Sequence, residues 1–369
     1  MTPKASCKKV PDRVAPAGQP MAGMSLIELM IALLLGVILT LGVTQVYLGT
    51  SQTYRLTDAI AHSQENIRFA TSMMQRDIRG AGGLACLRDA DDLIVKLQGT
   101  RVVPVGEGVL GWEADGTGLG DAHNVTAALA ADASGWSAGG GAGAFPAELV
   151  GAVVAGTDVL LVNSAETLPV GVTGSSANSI NVDGANGIPS GRIILAVTDD
   201  CAAGELFQKA NNATDNFLTL ADASFSPGNS PATFTLTYNA GAKVVDYSTT
   251  AYYVGIGTSG APSLFRRRLD TGPEGPQELV EGVESMQVLY GVATGPFKRA
   301  DLYTTADNVT NWENVASIRV AFMVRSEDGA NSEALTRVFN LLGTEVTTAT
   351  DRRARLVATS TIGIRNRLE

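Results

Sequence analysis

Histidine and cysteine are scarce in this chain, two of the former and three of the latter in 369 residues, and they form neither a CxxC pair nor an HExxH. A zinc site of recognisable spacing is thereby excluded, and metal catalysis has few ligands to draw on. The carboxylates Asp89, Asp91 and Asp92 are the densest acid group singled out, and they read as a solvated turn before a calcium site or an acid pair. Also absent are a GxSxG elbow, a P-loop, and a GxGxxG set between a strand and a helix, so the common hydrolase and nucleotide-binding signatures do not apply. No enzyme, no cofactor and no metal is expected. Bases are outnumbered, 27 Lys and Arg against 37 Asp and Glu. Residues 1–23 hold four of those bases (Lys4, Lys8, Lys9, Arg13) beside one acid, Asp12. The remainder is more acidic still, which disfavours contact with a phosphate backbone, so no nucleic acid is expected by default. Aromatics are few and glycine is abundant, a balance that suggests loop-rich β structure.

Charge is missing altogether from Leu29 to Leu48, LMIALLLGVILTLGVTQVYL. As a helix these residues span roughly 30 Å, the thickness of a bilayer core. The leader bases precede the run, and the positive-inside rule keeps that end in the cytoplasm and sends the C-terminal mass across. No small-x-small cleavage site follows the apolar core. Taken alone, hydropathy leaves a plain signal anchor and something more specific as alternatives.

Glu28 separates them. A carboxylate in a membrane helix costs about 2.5–3.5 kcal/mol on insertion scales, less near an interface, and it either snorkels to water or finds a partner. The surrounding Gly23-Met24-Ser25-Leu26-Ile27-Glu28-Leu29 resembles the type III signal of type IV prepilins: Gly, an apolar residue, then S/T-L-[IVL]-E. The resemblance implies that a prepilin peptidase cuts between Gly23 and Met24, that Met24 is N-methylated, and that Glu28 pairs with the N-terminal amine of a neighbouring subunit and sets subunit register. Two positions depart from the family pattern, Met24 where Phe is usual and Ala22 where a base is frequent. Met1 is kept as the start, since Met21 would discard the leader bases.

Beyond Leu48 the apolar spacing continues in an amphipathic form through Leu56, Ile60, Ile67, Ala70, Met74 and Ile78 and stops at Gly80, Gly82 and Gly83. One helix from about Ser25 to Arg79 follows. Gly36 and Gly42 within it read either as close-packing sites or as a point of local unwinding. Strand-like pieces then appear at Leu93–Leu97, Asp158–Asn163, Arg192–Asp199, Thr233–Tyr238, Ala251–Gly257, Ser263–Leu269, Ser285–Val292, Ser317–Ser326 and Thr359–Arg367. The stretch 106–156 is Ala- and Gly-rich without a period and reads as a surface insertion or mobile loop. A boundary near Asn239 and a single shared sheet are equally compatible with the pattern. The organisation expected is a leader at 1–23, an apolar membrane or filament-core helix at 24–48, an amphipathic helix at 49–80, and a β-rich globular part at 81–369. The fold class is α+β: a long N-terminal helix packed on a mainly antiparallel β domain.

Several later stretches, in order, resemble PilW-type minor pilins: SQTYRLTDAIAHSQENIRFATSMMQRDIRGAGGLAC, AGTDVLLV, AVTDDCAAGELFQ, AYYVGIG, SLFRRR, ELVEGVESMQVLYGV, NWENVASIRVAFMVRS and DRRARLVATSTIGIRNR. That resemblance implies a pilin-like fold in the inner membrane, N-terminus cytoplasmic, passing on assembly to a pilus at the cell surface. It also implies partners among other minor pilins, the major pilin and the prepilin peptidase, with a role in priming assembly and in the tip complex. A type II secretion pseudopilin of the J type is one alternative, an adhesin or DNA-uptake component another. For the latter, Arg352, Arg353, Arg355, Arg365 and Arg367 are the candidate contacts, against a solvated strand-flanking face. Removing the leader removes Cys7 and leaves Cys86 and Cys201. In an oxidising exported space these read as a disulfide, worth roughly 4–5 kcal/mol in the chain-entropy treatment, or else as two buried thiols.

Overall fold

The computed structural model describes residues 23–87, 89–98, 106–269, 275–295 and 299–367. The expected leader, with Cys7 and its bases, lies outside them up to residue 22. Two compact units are distinguished, Met1–Thr53 and Tyr54–Glu369, and the helix α1 (Leu26–Arg79) contributes to both. Ser25 opens it, its Oγ accepting the Glu28 amide at 3.2 Å, as an N-cap should. Thr40, Thr44, Thr50 and Thr53 donate their hydroxyls to carbonyls four residues back, so these hydroxyls are satisfied within the helix itself. The helix runs unbroken through Gly36 and Gly42, so the local unwinding considered for them is not present in this structure. It ends at Arg79, with the Gly80 amide on the Arg76 carbonyl and the Ala81 amide on that of Ile78, and with Arg76 and Arg79 at the negative end of the helix dipole.

After the helix come β1 (Leu93–Val95), β2 (Val109–Ala114), β3 (Ala122–Asn124), β4 (Trp136–Ser137), β5 (Val159–Thr167), β6 (Val172–Ser175), β7 (Ile180–Val182), β8 (Ile193–Val197), β9 (Gly204–Gln208) and β10 (Phe217–Leu218). The second half carries β11 (Lys243–Ile256), β12 (Pro262–Arg268), β13 (Gln277–Glu281), β14 (Val283–Val292), β15 (Leu302–Thr304), β16 (Val315–Arg325), β17 (Val338–Leu341), β18 (Thr344–Thr347) and β19 (Arg355–Gly363). A large sheet has the order β1-β9-β8-β11-β5-β2-β4, with β12 on β11 and β13 on β12. A second sheet is β15-β14-β16-β19, and two three-stranded sheets are β10-β7-β6 and β17-β18-β3. Pairing is antiparallel except at β1 with β9 and at β18 with β3. The fold is therefore α+β, as expected.

The main core joins three layers: Ile67, Ala70, Met74 and Ile78 of α1, Leu160 and Tyr252 of the large sheet, and Ile318, Val320, Phe322 and Ile362 of the second sheet. Burying each large apolar side chain contributes roughly 1.5–3 kcal/mol. Only the lower part of the expected stripe takes part, for Ile60 remains 37% exposed and Leu56 half-buried.

Three expectations change. The stretch 106–156 is not a surface insertion: β2 is buried at every position, and Trp112, Trp136 and Leu149 belong to the main core. The segment Thr233–Tyr238 is not a strand. Its Thr235 amide is bonded by the Glu205 carboxylate at 2.9 Å, with the Leu236 amide also directed at it, while Phe234 and Tyr238 pack in the second core. No boundary falls at Asn239, because β11 pairs with β5, β8 and β12 within one sheet. Within β2, Gly111 makes room for Tyr290: a Cβ there would lie 1.8 Å from the phenol oxygen. Gly111→Ala is expected to cost about 2–3 kcal/mol through overpacking, seen as a lower urea midpoint of the detergent-solubilised chain.

Candidate functional site

Gly23, Met24 and Ser25 precede α1 in non-helical, exposed backbone. Glu28 is the only charged residue between Gly23 and Arg55, and it stands in the first turn of α1. The apolar side chains around it are uncovered: Leu26 is 78% and Leu39 70% exposed. An uncharged helical surface of this length is compatible with lipid or with other apolar helices and with little else, which fits membrane anchoring. The three residues expected to be processed or to assemble, Gly23, Met24 and Glu28, thus sit at the start of an uncovered apolar helix.

Farther along, polar contacts fasten α1 to the strands. Asp77 accepts the Tyr252 hydroxyl at 2.5 Å and pairs with Arg266 at 3.3 Å. Burial first, and then the Asp77 charge, push the Tyr252 phenol well above its usual range, so it stays a donor. Asn366 donates to the carbonyls of Gly80 and Ala81 at 3.3 and 3.1 Å, and Gln75 reaches Ser360 at 3.4 Å. Cys86 and Cys201 are joined in a disulfide, Cα atoms 5.5 Å apart and 115 residues apart in sequence, so the segment just after the helix is tied to the loop between β8 and β9.

The arginine cluster divides. Arg355 is buried, donating to Glu284 at 2.6 and 3.1 Å and to Asp351 through two bonds of 2.7 Å, while Arg325 reaches Glu284 at 3.1 Å. Arg355 is therefore neither a nucleic-acid contact nor part of a solvated face. Arg353 donates to the Ser326 carbonyl at 2.9 Å. Asp89 caps the short turn that follows it, accepting the Asp91 amide at 3.1 Å, and among the described residues no group of three or more acidic, His or Cys side chains is arranged to hold a metal. The residue-by-residue reading missed the Asp77–Tyr252–Arg266 contact and the Glu284–Arg355 pair. Three consecutive arginines, Arg266 to Arg268, in an acidic chain were the available signal, since each needs an acceptor: Asp77, the Glu148 carbonyl and Asp246 supply them.

No curated protein and no solved structure gives a match to the chain. Residues 251–366, from within β11 to the turn after β19, match the family model described as Type IV Pilus-assembly protein W, so the C-terminal part of the chain is similar to that family, and the match points to type IV pilus assembly.

Proposed function

We propose that the chain is a minor pilin: a single-pass inner-membrane protein, cut between Gly23 and Met24 and methylated at Met24, that joins other minor pilins and the major pilin to prime a type IV pilus and then stays in its tip complex. The observation that carries this reading is Glu28, the one charge in the apolar half, up to Leu48, of a helix that begins three residues after Gly23. An acid in that position costs insertion energy that a pure anchor has no reason to bear, whereas pairing with a neighbour's N-terminal amine would compensate it in a low-dielectric bundle. The match of residues 251–366 to the pilus-assembly family model supports the pilus over other destinations for such a helix. The role is assembly and not turnover, with the prepilin peptidase as a transient partner.

The test is a deletion strain complemented with variants. Gly23→Ala is expected to accumulate as an uncut precursor on gels. Glu28→Ala is expected to be cut but to restore few surface pili. Native product that retains residues upstream of Met24 on mass spectrometry, or normal pili in the deletion strain, would overturn the reading.

A further inference from the structure

We propose that the outer edge of β19, together with the arginine groove at its C-terminal end, docks an extended acidic segment of another pilus subunit, which adds to the β15-β14-β16-β19 sheet as a fifth strand. The inference rests on the pilus-assembly reading for the identity of the partner, and on the geometry below for the site.

β19 pairs with β16 over nine positions without a bulge, from Ser317 with Gly363 to Arg325 with Arg355. Two bonds just outside that ladder, Ile364 N–H to Ala316 at 2.9 Å and Ser326 N–H to Ala354 at 2.8 Å, fix its parity. Even-numbered residues of β19 bond to β16, so the amides and carbonyls of Val357, Thr359 and Thr361 point away from it. Among the described residues, no other backbone bond reaches those three. A row of unpaired backbone groups is a template for another strand. The remaining sheet edges in the described residues are blunted. β1, β3, β4, β10 and β15 have three residues or fewer, and β6 and β17 four. β13 carries Glu278 and Glu281 and pairs with β12 through a register shift. β19 has no proline, no lysine and no charge after Arg355, and Arg355 is turned inward to Glu284. That buried pair and the buried Ile362 hold the edge rigid, which lowers the ordering cost of docking.

The chemistry of the occupant comes from the groove beside it. Ser72, Gln75, Arg76, Arg79, Arg365 and Asn366 line it, three arginines with no carboxylate among them. The bond from Gln75 to Ser360 makes groove and edge continuous. Arg76 and Arg79 also suit the helix C-terminus, but Arg365 arrives from the opposite end of the chain, and the chain as a whole has a net charge of −10. A cationic concavity on an acidic molecule selects an acidic ligand by complementarity. The row of strand donors and acceptors favours a polypeptide over nucleic acid, whose phosphates the rest of the surface repels.

The experiment places a benzoylphenylalanine photocrosslinker at Thr359 of the full-length chain in its native strain and identifies the adduct by mass spectrometry. An adduct with an Asp- or Glu-bearing segment of another pilus subunit is expected. Thr361→Pro, which removes an outward amide and no β16 bond, and the pair Arg79→Glu with Arg365→Glu should each reduce that adduct by about tenfold or more, with the Cys86–Cys201 bond and protease resistance intact. Should Thr361→Pro fail to fold, the arginine pair decides, since it leaves every β19 backbone bond in place. Adducts only with nucleic acid or lipid, no adduct, or an adduct unchanged by the arginine variants would overturn the inference. Normal pili in the deletion strain would instead overturn the pilus reading, and the adduct still decides whether the edge docks a strand.

Discussion

Glu205→Ala is expected to lower the unfolding free energy of the 54–369 unit by about 3–5 kcal/mol, the cost of stranding a buried charge. Glu205 is fully buried in β9, and its carboxylate collects Lys96 at 3.1 Å, the Thr235 amide at 2.9 Å and the Tyr238 hydroxyl at 2.8 Å. Removing it leaves the Lys96 ammonium, itself 2% exposed, with the Thr235 hydroxyl at 2.9 Å as its one side-chain partner among the described residues. It also frees the segment that brings Phe234 against Phe207 and Tyr238 against Phe234. Lys96→Met should cost less, about 1–2 kcal/mol, because the carboxylate keeps its other donors. Urea midpoints of the two variants in detergent check this, and equal losses would contradict it. Burial pushes the Glu205 carboxyl up, but hydrogen bonds from Thr235, Tyr238 and Lys96 outweigh it and hold the group below its usual range. A depressed carboxyl contributes stability above its unfolded pKa and loses it as pH falls through the folded one. The wild-type chain should therefore lose stability on acidification below the usual glutamate range, and Glu205→Ala should lack that limb.

The same carboxylate explains a misreading. Phe, Leu and Tyr alternate with threonines in Thr233–Tyr238 as in a half-buried strand, yet the amides there are satisfied by a side chain some thirty residues away, which no local pattern reveals. In β2 the opposite happened. Its buried positions include Gly111 and Glu113, residues that weaken a strand pattern; the first yields space to Tyr290 and the second is bonded by Thr117. Where burial alone decides, the pattern was legible: the pieces at Asp158–Asn163, Arg192–Asp199 and Ser317–Ser326 became β5, β8 and β16, and α1 began one residue from its expected start and ended at Arg79. For the site, Gly23, Met24 and Glu28 are readable because their chemistry lies in a contiguous motif. The free edge of β19 is not, since the direction of an amide depends on which residue of β16 lies opposite. Nor is the burial of Arg355, which requires Glu284 to be brought from 71 residues away.

Asp158→Asn and Glu113→Gln, two neutralisations at the junction of the large and second sheets, are expected to move stability in opposite directions. Asp158 accepts the Ala114 amide of β2 at 3.0 Å through one oxygen and the Val288 amide of β14 at 2.7 Å through the other, so one buried carboxylate fastens both sheets. Asparagine keeps one acceptor and turns an N–H₂ toward the second amide, a loss of about 2–3 kcal/mol. Glu113 has no such work: Thr117 donates to one oxygen at 3.3 Å, and its Oε2 is buried without a hydrogen-bond partner. Burial, then the charges of Asp158 and Asp307, push its carboxyl far up, burial raises Asp158 as well, and burial followed by the Asp158 and Glu113 charges holds the Tyr290 phenol well above its usual range. A raised carboxyl binds its proton in the folded state over a range where the unfolded chain has lost it, so stability is greatest below the unfolded pKa and falls as pH rises toward the folded one. Glutamine needs no proton, so Glu113→Gln should gain on the order of 1–2 kcal/mol at pH 8 and little at pH 4. Urea unfolding at those two pH values separates the cases. A Glu113→Gln chain that loses stability at pH 8 would mean that the ionised side chain, and not the protonated one, is what the junction between the sheets is built to hold.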